Sequence, residues 1–120
     1  MEYRTYLRQQ GIDSGSLRFP NPRGGGFSPL VNDIWVPTRK QLIEAKAEPT
    51  RENVRMVIGQ IADYCRMAPQ GCLASALFNG CPDDDLLNLL KSQGIVGIWK
   101  EGEDGFVDSQ GGRFINEAPK

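Results

Sequence analysis

Asn32-Asp33-Ile34-Trp35-Val36, then Pro37-Thr38-Arg39-Lys40, then Gln41-Leu42-Ile43-Glu44-Ala45-Lys46-Ala47 is the stretch whose reading decides the fold. It reads as two short strands joined by a turn. Pro37 has no N–H to give to a ladder, so it suits the end of the first strand. Side chains of the second strand alternate between faces, which puts Leu42, Glu44 and Lys46 on one side and Ile43, Ala45 and Ala47 on the other. Glu44 and Lys46 then lie roughly 6.5–7 Å apart along the strand. A hairpin brings Asp33 to the same end, so two carboxylates and one ammonium converge. Mg²⁺ takes hard oxygen ligands and keeps several waters, so two carboxylates suffice to hold it. Such a cation makes a water acidic enough to attack a phosphodiester and offsets charge on the phosphate. Lys46 would orient or deprotonate that water, or stabilise the developing negative charge. The plainer reading is a solvated strand face with a Glu44–Lys46 ion pair, and the spacing alone leaves both readings open.

Beyond the second strand, Pro49-Thr50 starts a helix with Thr50 as N-cap. Val54, Val57, Ile58, Ile61 and Cys65 recur at helical spacing and predict its inward face. Gln60 and Tyr64, at i and i+4, share a face of the same helix. Arg51 and Arg55 stand in its first turns. With Arg39 and Lys40 they are expected to put positive charge near the metal end, where a phosphate backbone must lie. Pro69 closes the helical region and Cys72–Phe78 reads as a buried strand, parallel to the second strand, Gln41–Ala47, if the helix is the crossover. Pro82 opens a second helix, and Asp83, Asp84 and Asp85 in its first turn suit the helix dipole. Leu86, Leu87, Leu89 and Leu90 point inward, Gly94 stops the helix, and Ile95–Trp99 is a further parallel strand. Lys100 to Gly105 is an acidic turn, and Phe106-Val107 a short last strand. Before the hairpin, Glu2–Gln10 is an amphipathic helix ended by Gly11. Ser16–Pro20 is a first strand with Leu17 and Phe19 facing in, and Pro20–Gly26 is a mobile loop. Asn116–Lys120 reads as a frayed tail. The order predicts one α/β domain over residues 1–120, with a mixed sheet and helices on its faces.

Asp33, then after ten intervening residues Glu44-Ala45-Lys46, then Gln60 and Tyr64, is similar to the D…(D/E)xK…QxxxY order of the PD-(D/E)XK, or restriction-endonuclease-like, nuclease superfamily. The run from Asp33 to Tyr64 resembles small nuclease domains at the ends of larger bacterial defence proteins, with fainter echoes at Gly105-Phe106-Val107-Asp108. Asn32 stands where the nominal motif has proline. The resemblance implies a restriction-endonuclease-like core and a Mg²⁺- or Mn²⁺-dependent endodeoxyribonuclease of restriction or phage defence. It implies that Asp33 and Glu44 hold the metal, with the Ala45 carbonyl as a further ligand and Glu2 as the acid many members carry on their first helix. Lys46 would act on the attacking water, and Gln60 and Tyr64 would position substrate or Lys46.

The chain has 120 residues, 39% hydrophobic and 24% charged, which suits one soluble domain with one core. No apolar run nears the ~18 residues that span a bilayer, and no signal segment opens the chain. The absence of histidine excludes Ser-His-Asp and Cys-His catalysis. Cys65, Cys72 and Cys81 form no CxxC pair, so reduced thiols in a cytoplasmic protein are expected. The net charge of −1 argues mildly against DNA as partner, although local distribution decides. A helix starting so near Met1 is poorly capped, as in the C-terminal part of a longer protein. A domain this small reads bases poorly, so a homodimer or a fused recognition domain is expected to supply specificity. The alternative is a non-catalytic nucleic-acid-binding or assembly module that keeps the fold.

Overall fold

The protein is described from a computed structural model covering residues 2–116. Helix α1 (Glu2–Gln9) buries Tyr3 and Leu7 and ends at Gly11, whose φ of 76° favours a residue without a side chain. Strand β1 (Arg18–Phe19) pairs antiparallel with β2 (Leu30–Val31) in a ribbon of its own. The expected first strand is thus a two-residue piece outside the main sheet. The main sheet has five strands in the order β3-β4-β5-β6-β7. They are β3 (Ile34–Val36), β4 (Gln41–Ala45), β5 (Leu73–Phe78), β6 (Val96–Glu101) and β7 (Gly105–Asp108). β3 and β7 run antiparallel to their neighbours, whereas β4, β5 and β6 are mutually parallel. This is the mixed α/β sheet that the order of elements predicts.

Between β3 and β4, Pro37–Arg39 forms a single 3₁₀ turn, and Lys40 closes it in the left-handed region at φ 52°. Helix α2 (Arg51–Cys65) carries the chain from β4 to β5. Its start is set by Thr50, whose hydroxyl accepts from the Asn53 N–H at 3.1 Å. Val54, Val57 and Ile61 are buried along it and Ile58 half-buried, but Cys65 is exposed and lies off the inward face. Helix α3 (Asp84–Ser92) connects β5 to β6. Asp83 caps it by accepting from the Leu86 N–H at 2.9 Å, so the aspartate run serves the helix start, one residue after Pro82.

The sheet separates two apolar clusters. On one face, Tyr3 and Leu7 of α1 and Phe114 and Ile115 pack on Ile34, Val36, Ile43, Leu77, Val96 and Ile98. On the other, α2 and α3 cover Leu42, Ala76 and Phe78. β4 faces both clusters, and all four residues from Gln41 to Glu44 are buried. That accounts for its unbroken apolar run.

A fourth helix, α4 (Arg113–Asn116), forms in a stretch to which the sequence assigned no element before the tail at Asn116. Asn116, expected in the tail, is its last residue; the rest of that tail, residues 117–120, lies outside the described residues. Asp108 fixes α4. Its carboxylate accepts from the N–H groups of Gln110 (2.7 Å), Gly112 (3.0 Å) and Ile115 (3.0 Å). Gln41 donates to the Phe114 carbonyl at 2.6 Å and Arg39 to that of Ile115. Asp108 is 5% exposed, so losing it leaves the buried Ile115 N–H without its acceptor and frees the N–H groups of Gln110 and Gly112. Asp108→Ala is expected to cost more than about 2 kcal/mol in denaturant unfolding. Asp108→Asn, which keeps one acceptor oxygen, should fall between it and wild type. Unchanged midpoints in both would show that α4 is not held by this carboxylate.

Candidate active site at the open end of the hairpin

The β3–β4 ladder starts at the pair Ile34–Ile43. Asp33 therefore sits just outside it, and its side chain takes over the ladder's role. Asp33 Oδ2 accepts from the Ala45 N–H at 2.8 Å, and the Asp33 N–H reaches Glu44 Oε1 at 3.3 Å. Each acid is held by the other strand's backbone. Asn32 sets this geometry. Fully buried, it accepts from the Leu17 N–H (2.6 Å) and donates to the Ile34 carbonyl (2.7 Å). Gly15 exchanges two hydrogen bonds with Trp35, at 2.7 and 2.8 Å, and covers the outer edge of β3. Ser16 donates to the Asp33 carbonyl at 3.0 Å. None of these supports is marked by periodicity. The one hint in the sequence is an amide where the nominal motif has proline.

Glu44 is 1% exposed. Burial, then a side-chain hydrogen bond with Asp33 and the Asp33 charge, push its pKa from an ordinary 4.5 up to about 8. Near pH 7 the Glu44 carboxyl thus keeps its proton. Lys46 lowers the Glu44 pKa, as the weakest of the influences on it. Among the described residues no ion pair joins Lys46 to a carboxylate. The Glu44–Lys46 pair that the plain strand-face reading requires is not formed. Lys46 is half-buried, and its N–H continues the parallel ladder to the Leu77 carbonyl at 2.9 Å. With Glu2, Ala45, Asn79, Lys100 and Phe106 it lines a cleft of about 180 Å³.

Tyr64 is half-buried and stacks on Phe19, ring centroids 5.8 Å apart. Burial raises its hydroxyl pKa, and the charges of Glu44 and Asp33 raise it further, so the α2 tyrosine lies within electrostatic reach of both acids. One turn earlier, the Gln60 Oε1 is buried without a hydrogen-bond partner. The structure thus brings Asp33, Glu44, Ala45, Lys46 and Tyr64 to one region. Glu2 reaches the neighbouring cleft but pairs with Lys100 at 3.0 Å. Among the described residues no group of three or more acidic, cysteine or histidine side chains could hold an ion. The available donor set is two carboxylates and a backbone carbonyl, hard oxygens of the number that suits Mg²⁺ with its waters.

The basic residues divide. Arg39 and Lys40 lie at the turn end of the hairpin, four residues or about 13 Å of strand from Glu44. They do not gather at the acid end, and Arg39 is engaged with the Ile115 carbonyl. Strand direction explains the correction, because the loop joining two hairpin strands is at the end opposite their free termini. Arg51 and Arg55 follow the carboxyl end of β4. Arg51 pairs with Asp85 at 2.5 Å, and Arg55 is exposed. Lys100, expected in a turn, instead belongs to β6 and faces the cleft. No protein-family model, curated protein or solved structure matches the chain.

The acid pair links stability to pH. An unfolded glutamate titrates near ~4.3, well below the folded value of about 8. Between the two the folded state binds the extra proton, so Glu44's contribution is fully present below the lower value and is lost as pH rises through the upper. The metal-free denaturant midpoint of wild type is expected to fall between about pH 5 and about pH 9 by more than that of Glu44→Gln. Parallel pH profiles for the two proteins would contradict a raised Glu44 pKa.

Proposed function

We propose that the domain is a metal-dependent endodeoxyribonuclease of the PD-(D/E)XK type, with a restriction-endonuclease-like core. One observation carries the reading: the buried Glu44 carboxyl sits against Asp33, each acid held by the other strand's backbone, beside a lysine bound to neither. A pair built for stability would use Lys46 as its counter-charge. Here a proton does that work, as expected of a site that receives a cation in use.

Asp33 and Glu44 would hold Mg²⁺ or Mn²⁺, with the Ala45 carbonyl beside them. When bound, the cation supplies charge neutralisation for the phosphodiester and lowers the pKa of the attacking water. The chain's own residues do the rest. The Ala45 and Asp33 N–H groups keep the two carboxylates oriented. Glu44 would give up its proton to solvent when a cation binds. Lys46, without a carboxylate partner, orients or deprotonates the attacking water and offsets charge on the phosphate. The Gln60 Oε1 offers an acceptor to Lys46 or to substrate, and the Tyr64 hydroxyl, which keeps its proton, can donate. A single site cuts one strand per encounter; cutting both requires a two-fold dimer or a fused partner domain.

Incubation of wild type and Lys46→Ala with supercoiled plasmid and Mg²⁺ or Mn²⁺ tests the reading. The expected result is cleavage by wild type and a loss of roughly 10²-fold or more in Lys46→Ala. Equal cleavage by both would remove the assignment. In parallel, Mg²⁺ should raise the melting temperature of wild type and leave that of Glu44→Gln unmoved. A Glu44→Gln variant that melts lower, with no effect of Mg²⁺ on either protein, would point to a non-catalytic module.

A further inference from the structure

At the end of the sheet away from the acids, two of the three cysteines face each other. Cys65 is the last residue of α2 and Cys72 immediately precedes β5. Their Sγ atoms lie 3.8 Å apart, and both thiols are free. The turn between them is held: the N–H groups of Met67 and Ala68 both donate to the Tyr64 carbonyl at 2.9 Å. Gly71, at φ 81°, makes the reversal into β5. Cys65 is exposed and Cys72 half-buried. Both border a groove of about 390 Å³ shared with Ile61, Leu73 and Phe114, open to a small molecule. Cys81 lies past the far end of β5, about 20 Å of strand away, with its thiol on the Pro82 carbonyl.

We propose that Cys65 and Cys72 are a modification site that closes to an intramolecular disulfide, with a low-molecular-weight disulfide of the glutathione type as oxidant. The thiolate of the more accessible Cys65 attacks one sulfur of the oxidant. A mixed disulfide forms and the first small thiolate leaves. The Cys72 thiolate then attacks Cys65 Sγ, forming the protein disulfide and releasing the second small thiolate. The two thiol protons end on the two small thiols. The protein loses two electrons and the oxidant gains them. A disulfide spans ~2.05 Å, so the sulfurs close by less than ~2 Å, a movement within side-chain rotation at the surface. Burial, and then the Cys72 neighbour, push the Cys65 pKa up to about 11. A thiol of high pKa leaves slowly, so the bond resists reduction once made. The bridge would close a short loop and tie the last turn of α2, which carries Tyr64, to β5. None of this depends on the nuclease reading.

The test incubates the full chain with oxidised glutathione, blocks the remaining thiols with a maleimide, and maps the peptides by mass. The expected product is a Cys65–Cys72 cross-linked peptide with Cys81 alkylated. The melting temperature should rise by several degrees, a rise absent in Cys72→Ser. Peptide mapping uses the wild-type chain, so it decides the matter even if that variant folds poorly. A glutathione adduct that persists on Cys65, a cross-link that includes Cys81, or three alkylated thiols after prolonged incubation would each overturn the proposal. So would a bridged chain that melts below the reduced one, since the bond would then strain the fold.

Discussion

Everything at the open end of the hairpin depends on one hydrogen bond, from the Ala45 N–H to Asp33 Oδ2. Where the β3–β4 ladder stops, Ala45 would otherwise present a donor without a strand opposite it. An aspartate at position 33 satisfies that donor, and in doing so it is drawn against Glu44. Glu44 cannot escape to solvent, because Leu42 and Ile43 on its own strand and the parallel β5 beside it leave it 1% exposed. Burying two carboxyl groups together is unfavourable while both are charged. The molecule relieves this by retaining a proton rather than by moving Lys46 into the gap.

That constraint explains why so much of the central architecture was legible. β4 is covered on both faces, so its apolar run is long enough to stand out, and one acid within such a run is conspicuous. α2 has a cap, a 3.6-residue apolar period and a length that no strand reaches, and the sequence placed its start at Thr50 correctly. The parallel relation of β4, β5 and β6 followed from helices separating apolar runs. Elements held by single tertiary contacts were not legible. β1 and β2 are two residues each, too short for any period. α4 exists because Asp108 gathers three N–H groups and Gln41 and Arg39 take its last carbonyls. Neither feature announces itself in composition.

At the site, the acids, the lysine and the tyrosine come to one region because order and alternation constrain them. The failures came from reading proximity in sequence as proximity in space. Arg39 and Lys40 stand close to Glu44 along the chain but occupy the opposite end of the hairpin. Lys100 is 54 residues from Lys46, counted as 100 minus 46, yet lines the same cleft because β6 runs parallel to β4 with β5 between them. Parallel strands collect their carboxyl ends at one edge, and residues just beyond those ends meet there whatever their separation.

The same geometry bears on the net charge of −1 and its apparent conflict with the polyanionic substrate proposed. Lys46 and Lys100 sit in one cleft, and Arg51 and Arg55 open the helix that leaves the same edge. Lys100 is paired with Glu2 and Arg51 with Asp85, but those carboxylate side chains are 72% and 73% exposed. Exposed pairs of this kind contribute between nothing and about 1 kcal/mol. A phosphate approaching that edge therefore meets cations whose present partners are weakly held and screened by salt. Acidic side chains share that edge: Asp83 caps α3 where it leaves β5, and Glu103 and Asp104, in the turn after β6, border a cleft with Glu2 and Lys100, while Asp108 holds α4. Charges of both signs meet at the carboxyl end, so a nucleic-acid backbone there would engage cations by displacing their exposed acidic partners rather than by meeting an excess of positive charge.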